Sequence, residues 1–201
     1  MEFQSERLLF RELTQKDFKQ VYALFSNEEI MRYALLDAYT GEEDFLPYFK
    51  QILENNTLSQ TRRAYEFGIF SMQDGHFAGF GDIEIHRRGA YGGSGEIGYF
   101  LARDAWGRGY ATEIARALVD YSFNQIKLHR VTARCNALNS RSERVMQKAG
   151  MRKEGELKKE RFKNGQWENE LCYAVLFEEW KEARAVRDEG QCITSEEAGC
   201  R

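Results

Sequence analysis

The chain has few of the features that mark exported, metal-binding or membrane-spanning proteins. Its 201 residues include four cysteines, one proline and no apolar run of the roughly 18 residues expected for a membrane span. The cysteines form no CxxC pair and are too sparse for a disulfide scaffold, so we expect reduced thiols and no metal site. The first residues carry charges where a signal peptide has an apolar segment, which predicts a cytoplasmic protein.

An excess of charge of one sign is also missing. The formal net charge is −3 at pH 7. Binding to nucleic acid depends on an excess of Lys and Arg, so we expect no direct nucleic-acid partner, and no membrane partner. A hydrophobic content of 42% with 13% aromatic residues is typical of a globular protein. The length predicts one domain over 1–182, followed by a polar, mobile tail over 183–201.

Alternating and helical patterns predict a chain of mixed strands and helices. A strand over 7–13 leads into a helix whose start has a capping box, Thr14 to Asp17. A second capping box, Thr40 to Glu43, precedes a helix that contains Pro47. The remaining pattern predicts three antiparallel strands over 65–102, a helix over 107–126, a strand over 130–136, a helix from Ser140 that ends at Gly150, and a hairpin at Asn164-Gly165.

Two glycine-rich stretches differ in what surrounds them. Residues 93–98 match the GxGxxG dinucleotide fingerprint, but that fingerprint must open a helix, and the residues from Glu96 onward alternate as a strand. We interpret this stretch as a loop that enters a strand. The second stretch, residues 107–111, follows a strand and precedes an amphipathic helix. It is not a Walker A loop, which needs a Lys followed by Ser or Thr after its second glycine.

The glycines at positions 107 and 109 allow two interpretations. The first turn of a helix has N–H groups without intrahelical partners and lies at the positive end of the helix dipole, so a bare loop there can cradle a pyrophosphate. The same glycines could instead form a tight turn between strand and helix. The pattern alone is compatible with both.

Several motifs, in a fixed order and spacing, together resemble the GNAT superfamily of acetyl-CoA-dependent N-acetyltransferases. They are most similar to its RimJ/RimL branch, the ribosomal-protein N-terminal acetyltransferases. The similarity extends from Arg7 to Trp180 and is more specific than any single motif. The motifs are Glu96-Ile97-Gly98-Tyr99, Leu101, Trp106 to Thr112, Arg130-Val131, Asn139-x-x-Ser142-x-x-Val145, Lys148-x-Gly150, Glu154-Gly155 and Glu179-Trp180.

The resemblance implies an α/β (α+β) fold with a mixed, mostly antiparallel sheet of about seven strands, splayed in a V and flanked by about four helices. The strand that ends at Leu101 would bend away from its neighbour, so that its free amides bind the pantetheine arm of acetyl-CoA. Asn139 would contact the cofactor from the opposite side, although Asn139 or Ser140 is also a good helix N-cap.

The resemblance also places the pyrophosphate on main-chain N–H groups of the loop. Trp106 departs from the Gln or Arg of the general pattern, a change that binding through backbone tolerates. The implied cofactor-binding residues are Leu101, Gly107, Arg108, Gly109, Tyr110, Ala111, Thr112, Asn139 and Ser142.

Acetyl transfer to an amine calls for a base, because only a minor fraction of α-amino groups is neutral at pH 7, and far less of a lysine amine. The resemblance places Glu96 beside the acceptor, as the candidate base. On the preceding strand Glu84 shares a face with Asp82 and His86. If the two strands pair, Glu84 comes near Glu96 and raises the pKa of one carboxylate. A solvated polar face explains the same alternation.

The proton donor to the leaving thiolate is less well marked. Many GNAT enzymes have a tyrosine four residues after the position of Ser142, where this chain has Met146. The resemblance to the RimL type then suggests that Ser142 hydrogen-bonds the thiolate sulfur. A serine hydroxyl is a weak acid, so positioning and backbone donors must supply much of the rate. A serine in the first turn of a helix is otherwise ordinary.

Three functions are compatible with these patterns. The first is acetyl transfer from acetyl-CoA to a protein N-terminal α-amine, and the second is transfer to a small amine such as a polyamine, an antibiotic or an amino acid analogue. The third is a CoA-binding sensor without catalysis. Glu160, Glu168 and Glu170 of the last hairpin could receive a cationic acceptor. We expect a monomer or homodimer.

Overall fold

The computed structural model describes residues 1–58, 61–163 and 165–185. The strands are β1 (Glu2–Gln4), β2 (Leu8–Glu12), β3 (Ala64–Ser71), β4 (Phe77–Gly89), β5 (Gly92–Leu101), β6 (Arg130–Asn136), β7 (Arg152–Lys163) and β8 (Gln166–Leu176). The helices are α1 (Phe18–Phe25), α2 (Glu28–Met31), α3 (Glu42–Asn55), α4 (Tyr110–Asn124), α5 (Ser140–Lys148) and α6, described over 177–185.

The eight strands form one sheet in the order β1-β2-β3-β4-β5-β6-β8-β7. Every neighbouring pair is antiparallel except β5 and β6, which are parallel and pair only where residues 94–96 lie opposite 130–132. Past Glu96, the edge of β5 that faces β6 has no strand partner among the described residues. The sheet therefore opens there, which confirms the predicted V.

The two faces of the central strands pack against different helices. On β4, Ile83 and Ile85 point into a core that includes α4, whereas Phe80 points into a second core built from α1 to α3, where Phe100 of β5 also packs. Strand alternation places Asp82 on the face of Phe80, just past this second apolar core. Glu84 follows on the same face, so this end of the strand is polar.

Of the two capping boxes predicted from the sequence, one forms and one does not. The capping box at Thr14 forms, because Asp17 accepts hydrogen bonds from both the backbone N–H and the hydroxyl of Thr14, at 2.8 and 2.9 Å. The second predicted box is wrong: α3 begins at Glu42 after Gly41, which is its N-cap and supplies no side-chain hydrogen bond.

The hairpin of β7 and β8 forms as predicted, with Lys163 opposite Gln166, although Asn164 of its turn lies outside the described residues. The same holds for residues 186–201 of the predicted tail. Strand β1 and helix α2 were not predicted. None of the described helices is both long enough and apolar enough to cross a membrane.

Candidate active site

The glycine loop lies where the sequence predicted it, between the end of β5 and the start of α4. Gly107 and Gly109 both have left-handed backbones, with φ of 77° and 79°, and Gly109 is the N-cap of α4. Only glycine adopts such angles freely. The first-turn N–H groups of α4 have no carbonyl partners within the helix, and no side chain caps them at Gly109. This geometry fits an anion.

Arg7, on the link between β1 and β2, fixes this loop from outside. Its guanidinium donates hydrogen bonds to the Arg108 carbonyl at 3.0 Å and to Glu113 at 2.8 Å, and lies 4.8 Å from the ring centroid of Tyr110. Sequence analysis gave no role to Arg7 or Glu113, because the two residues are 106 positions apart and no local pattern connects them.

Trp106, which departs from the family pattern, ties the loop to the end of β5. Its indole N–H donates a hydrogen bond to the Leu101 carbonyl at 3.0 Å, and the guanidinium of Arg103 lies 4.4 Å from its ring. The Leu101 carbonyl is therefore paired with Trp106, and the implied contact of Leu101 with the cofactor stays a prediction.

The opposite wall of the V is the start of α5. Asn139 is its N-cap and accepts a hydrogen bond from the Ser142 N–H at 3.1 Å, which confirms the capping interpretation. The Ser142 hydroxyl lies 2.9 Å from the hydroxyl of Tyr99 on β5. Burial raises the pKa of Tyr99 to about 12. Met146 is buried and supplies no donor.

Tyr99 was not predicted as a site residue, although it stands in a quoted motif. Its contact with Ser142 spans 43 positions of the sequence. The two hydroxyls join the diverging strand β5 to helix α5, so they lie inside the V where the sheet pairing has ended. The two hydroxyls form one hydrogen-bonded unit at this opening.

Four carboxylates lie on the face of the sheet that also carries Phe80, and we call them the acidic row: Glu66, Asp82, Glu84 and Glu96. Glu66 of β3 is directly opposite Asp82, and Glu84 is directly opposite Glu96 of β5. The predicted proximity of Glu84 and Glu96 is confirmed. Glu66 is buried and accepts hydrogen bonds from the Asn55 side chain of α3.

A guanidinium holds one end of the acidic row. Arg134 on β6 lies 3.0 Å from both carboxylate oxygens of Glu96 through Nε, and 3.8 Å from Glu170 of β8. Arg161 lies 3.7 Å from the other oxygen of Glu170. These alternating charges cross the V from β5 to β8 and hold Glu96 as a paired carboxylate.

Asp82 is the carboxylate of the row with the most altered acidity. Burial, with the nearby charges of Glu66, Glu84 and Glu96, raises its pKa to about 7. Burial also raises the pKa of Glu66. It raises the pKa of Tyr48 on α3 as well, and the negative charge of Asp82 is a further cause there. The sequence predicted a raised pKa for Glu84 or Glu96, whereas the large rise is at Asp82, which was named only as a neighbour on the strand.

The β7–β8 hairpin closes over the segment between α2 and α3. Lys163 donates hydrogen bonds from Nζ to the carbonyls of Met31, Ala34 and Leu36, at 2.9, 2.9 and 2.8 Å. Arg161 donates to the Ala34 carbonyl at 2.6 Å. The two cations thus fix the hairpin against the helical layer on the side of the acidic row.

The hairpin acids do not all face an acceptor. Glu168 is buried and accepts a hydrogen bond from Asn136, and Glu170 is buried between Arg134 and Arg161. These two carboxylates are therefore not open to a cationic acceptor as the sequence suggested, because protein side chains already pair with them. Glu160 is exposed.

Asp82→Asn is expected to stabilise the folded protein at pH 8. The pKa of Asp82 is about 7 when folded, against about 3.9 for an unfolded aspartate. A raised pKa contributes stability below about pH 4, and that contribution is lost as pH rises through 7. Allowing for solvent screening, we expect a gain of about 2 kcal/mol at pH 8 and little at pH 4. Urea denaturation at both pH values measures it, and a loss of stability at pH 8 would contradict the assignment.

A sheet that opens beside a bare helix N-terminus, with carboxylates on one face and hydroxyls in the opening, defines an acyl-CoA-dependent transferase. Residues 7–152 match the family model of the acetyltransferase (GNAT) domain. The chain belongs to this family and is an acetyl-CoA-dependent N-acetyltransferase.

Known proteins with a similar sequence or structure support this family assignment. The chain is 33% identical over 184 residues to YnaD of Bacillus subtilis (strain 168), an uncharacterized N-acetyltransferase, covering 90% of this chain and 99% of YnaD. It is 27% identical over 170 residues to the spermidine N(1)-acetyltransferase of Escherichia coli (strain K12), covering 83% and 84%. The crystal structure of a GNAT-family acetyltransferase from Bacillus anthracis superposes with a TM-score of 0.72 at 31% identity, over 88% of this chain and 98% of that one.

Proposed function

We propose that the protein transfers the acetyl group of acetyl-CoA to a protein N-terminal α-amine, as a member of the RimJ/RimL branch. The observation that supports this proposal is the acidic row beside the opening of the sheet, whose negative charge would attract a cationic amine toward a thioester bound there. An ammonium group is attracted by carboxylates, and the attraction is strongest where burial lowers the local dielectric constant.

Each wall of the V has a task in this proposal. The first-turn amides of α4 bind the pyrophosphate, and the unpaired edge of β5 binds the pantetheine arm. Glu84 and Glu96 hold the ammonium group beside the thioester, and a carboxylate of the acidic row assists its deprotonation. Ser142, hydrogen-bonded to Tyr99, donates a hydrogen bond to the sulfur as the C–S bond breaks. Asn139 retains its amide N–H groups for the cofactor while its oxygen caps α5.

Acetylation of a small polycation is the second candidate, favoured by the similarity to the spermidine acetyltransferase and by the number of carboxylates in the row. A polyamine can pair one ammonium group with Glu66 or Asp82 and another with Glu96. This acceptor demands more of the base, because its amines have a pKa near that of lysine, about 10.4.

Acetyl-CoA-dependent release of free thiol tests the acceptor class. The panel contains peptides that begin with Ser or Ala, the same peptides with a formylated N-terminus as matched controls, and small amines including spermidine. We expect release with the free peptides and none with the formylated ones. Release with small amines alone would overturn the N-terminal proposal and leave acetylation of small amines.

Glu96→Gln is expected to lower kcat/KM for the amine about 10- to 100-fold, because a charge-assisted hydrogen bond contributes about 1.5–3 kcal/mol. The KM for acetyl-CoA should not change, since the cofactor binds elsewhere in the V. Glu154→Gln is the matched control, because Glu154 also pairs with an arginine, Arg130, away from the acidic row. Equal kcat/KM in the two variants would remove Glu96 from the site.

A further inference from the structure

We propose that Asp82 takes the proton from the bound amine, while Glu84 and Glu96 hold the ammonium group in place. This inference rests on the acetyl transfer proposed above. It assigns the base to a residue that neither the motifs nor the family resemblance singles out. The argument combines the position of Asp82, its lack of a competing partner and the chemistry of its neighbours.

Position is the first observation. Asp82 lies directly opposite Gly98 of β5, and a Cβ atom on Gly98 would lie 2.5 Å from Asp82 Oδ1. The carboxyl group thus occupies the space left by the missing side chain and rests against the backbone of Gly98. Gly98 is two residues beyond Glu96, the last residue of β5 that pairs with β6. Asp82 therefore covers the start of the opening, where the thioester enters.

The second observation is that Asp82 is free to accept a proton. Within the described ranges, no residue forms a hydrogen bond or ion pair with its carboxylate. Glu96, by contrast, is paired with Arg134 through both oxygens, and Glu66 accepts from Asn55. Asp82 is thus the one of these three carboxylates whose oxygens are not already occupied by a side-chain hydrogen-bond donor of the described residues.

Charged and titratable groups approach Asp82 from each element packed against it. They are Tyr48 from α3, Glu66 from β3, Glu84 from its own strand β4, and Glu96 from β5 with Arg134 of β6 behind it. Burial and the three carboxylates raise the pKa of Asp82 to about 7. A base acts best when its pKa lies near the working pH.

The proton transfer balances with the rest of the reaction. The ammonium group loses one proton to Asp82, and the neutral nitrogen attacks the thioester carbonyl carbon. As the C–N bond forms and the C–S bond breaks, the second proton of the nitrogen passes to the departing sulfur, with Ser142 in contact. The products are the N-acetylated amine and CoA thiol, and Asp82 then releases its proton to water.

Rates across pH 5.5 to 9 test the assignment, with saturating acetyl-CoA and a saturating Ser-initiated peptide. We expect kcat of the unaltered protein to rise with pH through an apparent pKa near 7, because Asp82 must be ionised to act. Asp82→Asn should lower kcat about 100-fold or more and remove this rise, with the KM for acetyl-CoA unchanged. Thermal unfolding of the variant confirms that it is folded.

Two further variants separate a catalytic Asp82 from a structural one. Gly98→Ala keeps the carboxylate but adds a methyl group in its place, so kcat should fall at least about tenfold. Glu66→Gln removes one neighbouring negative charge, so the rise in kcat should move to lower pH. A merely structural Asp82 would give no such shift.

The outcomes distinguish the two proposals. Acetylation of peptides by Asp82→Asn with the kcat and pH profile of the unaltered protein would overturn the role of Asp82 and leave the proposed function intact. Failure of the unaltered protein to acetylate any amine would overturn both.

Discussion

Gly109→Ala is expected to raise the KM for acetyl-CoA about 10- to 100-fold. Gly109 has φ of 79° at the N-cap of α4, and an alanine there costs about 1–2 kcal/mol in that conformation. If the backbone relaxes instead, the first-turn N–H groups turn away from the phosphates, and each lost hydrogen bond to a charged group costs about 1.5–3 kcal/mol. Initial rates over a range of acetyl-CoA concentrations measure the effect.

Gly75→Ala is the matched control for this prediction. Gly75 has φ of 73° in the turn between β3 and β4, with open space around its Cα. Both substitutions introduce the same backbone strain, so both should lower stability by a similar amount, but only the change at Gly109 should weaken cofactor binding. An unchanged KM in Gly109→Ala would mean that the glycines only shape the turn.

Arg62→Ala is expected to reduce the free energy of unfolding by about 3 kcal/mol, the largest stability effect we anticipate from a single charged residue. Arg62 is 2% exposed. It donates hydrogen bonds to Glu12 at 2.5 Å, to the Asn56 side chain at 2.9 Å and to the Ala64 carbonyl at 2.8 Å. Its removal leaves these acceptors without their donor in a partly buried region.

Arg62 matters for the site because its hydrogen bonds join three parts of the fold around the acidic row. Its partners lie on β2, directly after α3 and at the start of β3, and β3 carries Glu66. Arg152→Ala is the control: Arg152 pairs with Glu179 at 3.3 Å but is 78% exposed, so its loss should cost less than about 1 kcal/mol. Similar urea midpoints for the two variants would contradict the role of Arg62.

Most of the fold was predictable because its signals are local. A period of two marks β3 to β5, apolar spacing marks α1 and α4, and the glycine loop between β5 and α4 is readable as a helix start. The prediction at Thr40 failed because Gly41 in an extended backbone already starts α3, so the hydroxyl of Thr40 is one residue too early. Strand β1 was missed because three residues give too short a pattern.

The site was only partly predictable, because its decisive contacts join distant parts of the chain. The row of Glu84 and Glu96 followed from the alternation of two neighbouring strands. The contact of Tyr99 with Ser142 and the pairing of Arg134 with Glu96 depend on how helices and strands pack, over separations of 43 and 38 residues. The special position of Asp82 follows from its register with Gly98 and from burial by α3, which no spacing encodes.

The departure at Met146 gains a physical interpretation from these contacts. A buried methionine cannot protonate a thiolate, but the Tyr99 hydroxyl reaches the same region from β5 and bonds to Ser142. The chain thus has a tyrosine hydroxyl beside Ser142, supplied by a strand rather than by helix α5. This supports catalysis over the alternative of a CoA-binding sensor.

The most direct test of the central claim is mass spectrometry of the acceptor after incubation with acetyl-CoA, with fragmentation to locate the added group. The account predicts one acetyl group on the α-nitrogen of a Ser- or Ala-initiated peptide, formed in step with free CoA thiol. Release of thiol with the acetyl group recovered as acetate, or tight binding of acetyl-CoA with no transfer to any amine, would contradict it.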